Sequence, residues 1–299
     1  MFNHMRLLYR KFFPLLGPNP TAKHSDHTCT KTLSRQDWLV LVALGLLAVF
    51  IWLRNADWMT SADDTLPILV ALPAFYWLGK PWELLDGPAG DLPTKGILLA
   101  AALLLIGIVS NLTLLLAIAW TYLLWLWLER RIPISHHSSI HKLLVLPMLS
   151  FPWVTLDLQT LGWYFRLSGA YITAQVFHLL GFNVQYEGTN LLVDGLPISV
   201  EVACAGLNTL QSMLIAGSTM AYLILGGTNR YWWNLPLLFV MAWLANTVRI
   251  LMLSSVGLAF GPEFTMGAFH SWGGWFILVL MFLGCWLLFQ LQEPKRDAK

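Results

Sequence analysis

GILLAAALLLIGIVSNLTLLLAIAWTYLLWLWL, residues 96–128, runs for 33 positions without a charged side chain. As one helix it would reach about 50 Å, against a hydrocarbon core of about 30 Å. Ser110-Asn111 interrupts it, so the stretch reads as two membrane-crossing helices joined by a tight turn. Similar apolar blocks occupy 38–53, 66–79, 143–156, 204–225, 231–260 and 270–291, and Pro147 and Pro152 kink or break the block at 143–156. The expected fold class is an all-α polytopic membrane protein of about eight transmembrane helices. Composition agrees: 57% of the 299 residues are hydrophobic and 11% charged, where soluble domains carry about 25% charged residues.

Charge placement orients the spans, because cytoplasmic loops collect lysine and arginine. With eight spans, one side receives residues 1–37, Lys80, Lys95, Arg130, Arg131, Lys142, Arg230, Lys295, Arg296 and Lys299. The other receives Arg54 with Asp57, Asp63 and Asp64, the Ser110 turn, residues 157–203 and residues 261–269. Both termini are thus expected in the cytoplasm of a cell with an inner membrane. Residues 1–37 lack an apolar core followed by a small-residue cleavage site and read as a cytoplasmic tail. The expected divisions are a tail at 1–37, a five-span bundle at 38–156, an extracytoplasmic insertion at 157–203, a three-span region at 204–291 and a tail at 292–299.

The insertion differs from the other loops. Residues 161–180 have helical apolar spacing with Trp163 and Tyr164 suited to an interface, so a helix lying along the membrane surface is expected. Residues 185–186, 190–193 and 198–202 read as strands separated by Glu187-Gly188 and Asp194-Gly195, a small β-hairpin leading into Cys204.

A net charge of +2 without a basic patch excludes nucleic acid as the expected partner. Cys29, Cys204 and Cys285 are far apart, which argues against a disulfide framework. No HExxH occurs, His136, His137 and His141 have no suitably spaced acidic partner, and no metal or organic cofactor is expected.

Depth singles out three residues. Cys204 opens the sixth span at its outer end, and Arg249 lies 19 residues beyond Arg230, about 28 Å up the seventh span. His270 begins the eighth span at the same level. Cys204, Asn208, Gln211 and Ser212 share one helical stripe, Asn246 and Arg249 another, and Gly273-Gly274 allows close helix approach. A thiolate is a nucleophile, a histidine can move its proton, and an arginine can stabilise an oxyanion. Each residue also has a plainer role: Cys204 as a buried hydrophobe, Arg249 snorkelling to headgroups, His270 as an interfacial cap, Asn208 and Gln211 as helix glue. Cys285, roughly 22 Å deeper than His270, is expected to be such a buried hydrophobe.

Three blocks, Glu201-Val202-Ala203-Cys204-Ala205-Gly206-Leu207-Asn208, Asn246-Thr247-Val248-Arg249-Ile250 and Phe269-His270 with Gly273, resemble the signatures of the exosortase/archaeosortase family. Ala205 stands where many members have serine, and Glu201 lies three residues before the cysteine where two is common. The resemblance implies an eight-span cysteine protease or transpeptidase that processes C-terminal sorting signals of membrane-anchored secreted proteins. It makes Cys204 the nucleophile, Arg249 the positioning or transition-state cation and His270 the acid/base, with Glu201, Asn208 and Asn246 in support. Two other classes compete: a small-solute transporter lined by Asn208, Gln211, Asn246 and Arg249, and a non-catalytic subunit of a polysaccharide or secretion assembly.

Overall fold

A computed structural model describes residues 34–59, 62–82, 84–85, 93–200, 206–261 and 268–293, with backbone alone at 57, 62–64 and 268–272. The helices are α1 (Arg35–Arg54), α2 (Ala62–Leu78), α3 (Thr94–Ser110), α4 (Thr113–Leu128), α5 (Ile134–Leu143), α6 (Val145–Leu149), α7 (Trp153–Asp157) and α8 (Gln159–Leu179). A small sheet of β1 (Val184–Glu187), β2 (Asn190–Val193) and β3 (Leu196–Ser199) precedes α9 (Leu207–Leu225), α10 (Arg230–Phe260) and α11 (Ala268–Gln292). Helices long and apolar enough to cross a membrane cover Arg35–Arg54, Arg230–Phe260 and Gly273–Gln292, and α2, α3 and α4 are shorter apolar helices.

The break in 96–128 falls at the expected dipeptide. Asn111 takes the left-handed conformation at φ 57° that asparagine tolerates, and Leu112 N–H closes on the Gly107 carbonyl at 3.0 Å. Leu112 offers α4 no side-chain cap. Asp157 supplies it instead, its carboxylate accepting from Thr113 N at 3.1 Å and Leu114 N at 2.6 Å. Arg54 donates to the Gly107 and Ile108 carbonyls at 3.2 and 2.7 Å, so segments expected on one side of the membrane meet.

At the other end Ser34 and Asp37 form a capping box on α1. Asp37 is buried, paired with Arg131, whose Nε donates to Oδ1 at 2.8 Å, and bonded by Trp127 Nε1 at 3.0 Å. Lys142 Nζ donates to the Gly226 carbonyl at 2.6 Å, tying α5 to the C-terminus of α9, where a cation offsets the helix dipole.

The expected break at Pro147 and Pro152 yields the short helices α6 and α7. Pro152 has no N–H for the Met148 carbonyl, which accepts from the Trp153 indole at 3.0 Å instead. The Leu149 carbonyl takes Gln211 Nε2 at 2.7 Å and the Ser150 carbonyl takes Trp52 Nε1 at 2.8 Å. Without such donors, irregular backbone in an apolar bundle would be strongly unfavourable.

Helix α9 packs against α2, α6, α7, α10 and α11. Leu210, Met213, Leu225, Tyr231, Leu238, Cys285 and Phe289 belong to one buried cluster, and Cys285 is the buried hydrophobe expected. Contacts between α9 and α10 run antiparallel, from Gly206 against Asn246 to Gly217 against Leu238 and Tyr222 beside Tyr231. Those between α10 and α11 do the same, from Arg230 and Asn234 at Gln292 through Met241 at Gly284 to Arg249 at Gly274.

Residues 161–180 form a helix, but α8 does not stand apart from the bundle. It runs alongside α10 in the same direction: Phe165 at Phe239, Ser168 Oγ accepting from Trp243 Nε1 at 3.0 Å, Gly169 against Thr247 and Ile250. Trp163, Tyr164 and Tyr171 are exposed on its other side. The expected hairpin is a three-stranded antiparallel sheet in the order β1-β2-β3. Leu191 and Val193 are buried with Ala174 and Phe177 of α8, and Leu251 and Leu258 of α10 pack against them.

Candidate active site

Five residues of α10, Asn246 to Ile250, are met from three directions, each time by a glycine. Gly169 of α8 faces Ile250, whose Cδ1 would lie 2.5 Å from an added Cβ. Gly206, the N-cap of α9, faces Asn246: a Cβ there would lie 2.6 Å from Cγ and 2.9 Å from Oδ1. Gly274 of α11 faces Arg249, with Nε 3.4 Å and Cζ 3.6 Å from the position of a Cβ. Larger side chains at 169 and 206 would hold the elements apart. Gly206 is doubly constrained, since its φ of 73° is one that residues with a Cβ rarely adopt.

These contacts bring together the neighbourhoods of the three residues singled out by depth. Gly206 is two residues from Cys204, and Gly274 is one helical turn from His270. Cys204 and Glu201 lie outside the described residues, and His270 belongs to α11 with its side chain undescribed. Val200, the last described residue before that segment, is 4% exposed and packs with Ala170, Ile250 and Leu253. Its N–H donates to the Thr189 carbonyl at 3.0 Å. The chain carrying Cys204 is therefore attached at both ends to α10 around Arg249.

The supporting residues divide. Asn246 is fully buried beneath Gly206. Asn208 is exposed, Ser212 half-buried and Gln211 buried, so the expected common stripe does not face one place. Gln211 has a local reason to be polar, namely the Leu149 carbonyl freed by the broken helix. The described part of α9 begins at Leu207, which leaves the register linking Cys204 to Asn208 outside the described residues. Among the histidines expected on the cytoplasmic side, His141 lies against Trp125 with ring centroids 3.9 Å apart, and among the described residues no three His, Cys, Asp or Glu side chains form a metal-binding group.

One residue near the site gave no sequence signal. Arg166 of α8 donates from Nη1 to the Val200 carbonyl at 3.4 Å. It is the one lysine or arginine in 161–180, a stretch whose apolar spacing suggests an interfacial helix. Its proximity to Val200 depends on the sheet folding back, which local spacing does not reveal.

Fold and layout define a helical membrane protein in which, among the described residues, glycines of three elements close on Asn246 to Ile250 of α10. The chain belongs to the transmembrane exosortase family (Exosortase_EpsH), whose model matches residues 39–287, most of its length. Membership suggests a membrane protease that processes sorting signals on secreted proteins, and together with the apolar helices it supports a membrane location. No curated protein and no solved structure matches the chain.

Proposed function

We propose that this protein is a cysteine-dependent peptidase of the inner membrane that cleaves C-terminal sorting signals of membrane-anchored secreted proteins. Cys204 is the nucleophile, Arg249 the cation and His270 the acid/base. The supporting observation is the double contact on α10: Gly206 beside Asn246 and Gly274 beside Arg249, one turn apart. A covalent bound strengthens it, because two peptide links keep the Cα of residue 204 within about 7.6 Å of that of Gly206.

The Cys204 thiolate attacks the scissile carbonyl, and negative charge develops on its oxygen. The Arg249 guanidinium, always protonated and planar, stabilises that oxyanion or holds the carbonyl. Collapse breaks the C–N bond, and the departing amine takes a proton from His270, which had received one from the thiol. The thioester then yields to water, or to an amine acceptor in transpeptidation.

Eight spans with both termini in the cytoplasm put this layer at the outer face. What supports the depth is the reach of α10, whose 31 residues extend about 46 Å against a core of about 30 Å. Asn246, Arg249 and Gly274 then lie near the outer edge, where the cleavage motif of a substrate anchored by one C-terminal helix would emerge.

The test compares cells carrying wild-type protein with cells carrying Cys204→Ala, mapping C-termini of anchored secreted proteins by mass spectrometry. The expected result is loss of every cleaved terminus at unchanged levels of the membrane protein. Cleavage that persists in Cys204→Ala refutes the cysteine mechanism.

A further inference from the structure

The register of the small sheet decides which edge groups face outward. Gly188-Thr189 and Asp194-Gly195 are tight turns, so Gln185 and Glu187 exchange hydrogen bonds with β2, and the pattern continues in the bond from Asp194 N–H to the Asn183 carbonyl at 2.9 Å. The N–H and C=O of Val184 and Tyr186 therefore point away from β2, and among the described residues nothing bonds to them. On the opposite edge Leu196 and Ile198 face β2, and Pro197 takes an outward position, where it has no N–H to offer a further strand. That proline protects β3 in the way edge strands are commonly protected, whereas β1, Val-Gln-Tyr-Glu, has no proline, lysine or bulge. Beside β1 runs an exposed stripe of α8. The Tyr171 ring meets the Tyr186 ring with centroids 5.7 Å apart, and Gln175 and His178 follow Tyr171 by one and two turns, all three exposed.

We propose that the edge of β1 is a substrate-docking strand: an extended stretch of the anchored secreted protein, on the N-terminal side of the scissile bond, pairs with Val184 and Tyr186 and joins the sheet. This rests on the proposed function, in which the substrate chain leaves the membrane beside Asn246 to Ile250. The sheet stands next along that path, because Leu251 and Leu258, in the turns of α10 beyond Ile250, pack against Leu191 and Val193. An extended peptide supplies donors and acceptors at the strand repeat, which a lipid does not. The main chain then provides affinity, and alternate side chains of the added strand lie over Tyr171, Gln175 and His178, which provides selectivity. With the order β1-β2-β3, the added strand is about 14 Å from β3, a distance an extended chain covers in about four residues. The docked stretch is therefore separate from the residues that flank a bond cleaved on the β3 side.

The test uses the full chain in membranes with Cys204→Ala, so that uncleaved substrate is retained, and with Gln185→p-benzoylphenylalanine, a photo-crosslinker at an exposed position of β1. Irradiation is expected to capture a secreted protein that carries one C-terminal apolar helix, through residues preceding that helix. Tyr186→Pro and Val184→Pro each remove an outward N–H without cutting a bond to β2, as Pro197 does on the other edge. Each should lower that capture by about fivefold or more and, with Cys204 restored, slow processing by about tenfold. Tyr186→Ala keeps the N–H and should fall between Tyr186→Pro and wild type. Capture of a second copy of this chain alone, no capture, or capture indifferent to both prolines overturns the proposal; if neither proline variant folds, capture at position 185 decides by itself. If position 185 captures the substrate and Cys204→Ala still processes it, the nucleophile reading falls and the docking strand stands. If Cys204→Ala abolishes processing and position 185 captures nothing, the reverse holds.

Discussion

Arg131 and Arg249 are both arginines of an apolar bundle, and their surroundings differ. Arg131 is held by the Asp37 carboxylate, with Trp127 bonded to the same group and the Leu85 carbonyl at 3.4 Å. Arg249 lies against Gly274, on a helix that one turn earlier carries His270, in the stretch where Gly169 and Gly206 also close on α10. Around Arg131 the fold has spent side chains on neutralising a charge. Around Arg249 small residues let other elements approach α10 closely, Gly274 at Arg249 itself and Gly206 at Asn246. The first arrangement holds a charge inside the bundle, and the second is the layer for which a reaction is proposed.

One substitution, arginine to lysine, sharpens that contrast. Arg249→Lys keeps the charge and loses the planar fork, and processing should fall by about 100-fold or more while the melting temperature changes by no more than a few degrees. Unchanged kinetics would remove Arg249 from the mechanism. Arg131→Lys should do the opposite, leaving processing per folded molecule intact and lowering stability.

Removing the carboxylate is harsher at that end. Asp37→Ala strands a buried guanidinium and should cost about 3–5 kcal/mol in detergent unfolding, most of it recovered when Arg131→Met is added. A single variant as stable as wild type would mean that the pair carries no structural weight.

Glycines offer a finer comparison. Gly206→Ala meets both a positive φ and the Asn246 side chain, and should slow processing about tenfold by displacing the start of α9. Gly188→Ala has a φ of 59° but open space around it, so it should cost about 1 kcal/mol and leave the rate alone. Equal effects at the two sites would show that backbone strain, rather than the contact with Asn246, governs the result.

The smallest effect is expected at His141, in the connection preceding the broken helix. Burial first, then repulsion from His137, holds its imidazole below the usual 6.5, against a weaker opposing pull from Glu129. The folded state therefore favours neutral His141, so its contribution is complete above pH 6.5 and shrinks as pH falls through 6.5 toward the lower folded value. Solvent screening keeps this modest, because the side chain is exposed. Melting temperatures at pH 7.5 and 5.5 should differ slightly more for wild type than for His141→Gln; an identical difference would dismiss the burial effect.

Helix positions were legible because hydrocarbon length, charge and proline act locally. The turn at Ser110-Asn111, the break around Pro147 and Pro152 and the extent of α10 needed only composition and rise per residue. The approach of α11 to α10 at Gly274 and Arg249 was legible too, since depth along a helix is arithmetic, whereas the contacts of Gly206 with Asn246 and Gly169 with Ile250 were not. Partners distant in sequence were not. Asp157 capping α4, Gln211 serving the Leu149 carbonyl and Arg166 reaching Val200 span separations of 44, 62 and 34 residues, and only tertiary packing creates those pairs. Gln211 shows the cost most clearly: a polar stripe on α9 suggested one site, yet its buried member answers to a broken helix beside it.

The central claim is an activated Cys204 beside Arg249 and His270, and thiol titration tests it without knowledge of the substrate. With Cys29→Ser and Cys285→Ser, alkylation of Cys204 by a membrane-impermeant maleimide is followed against pH in intact cells, with and without His270→Ala. Labelling from outside with an apparent pKa well below about 8.5, displaced by the histidine replacement, is the predicted result. A thiol that titrates near 8.5 and ignores His270, or one labelled only in inverted vesicles, would contradict it.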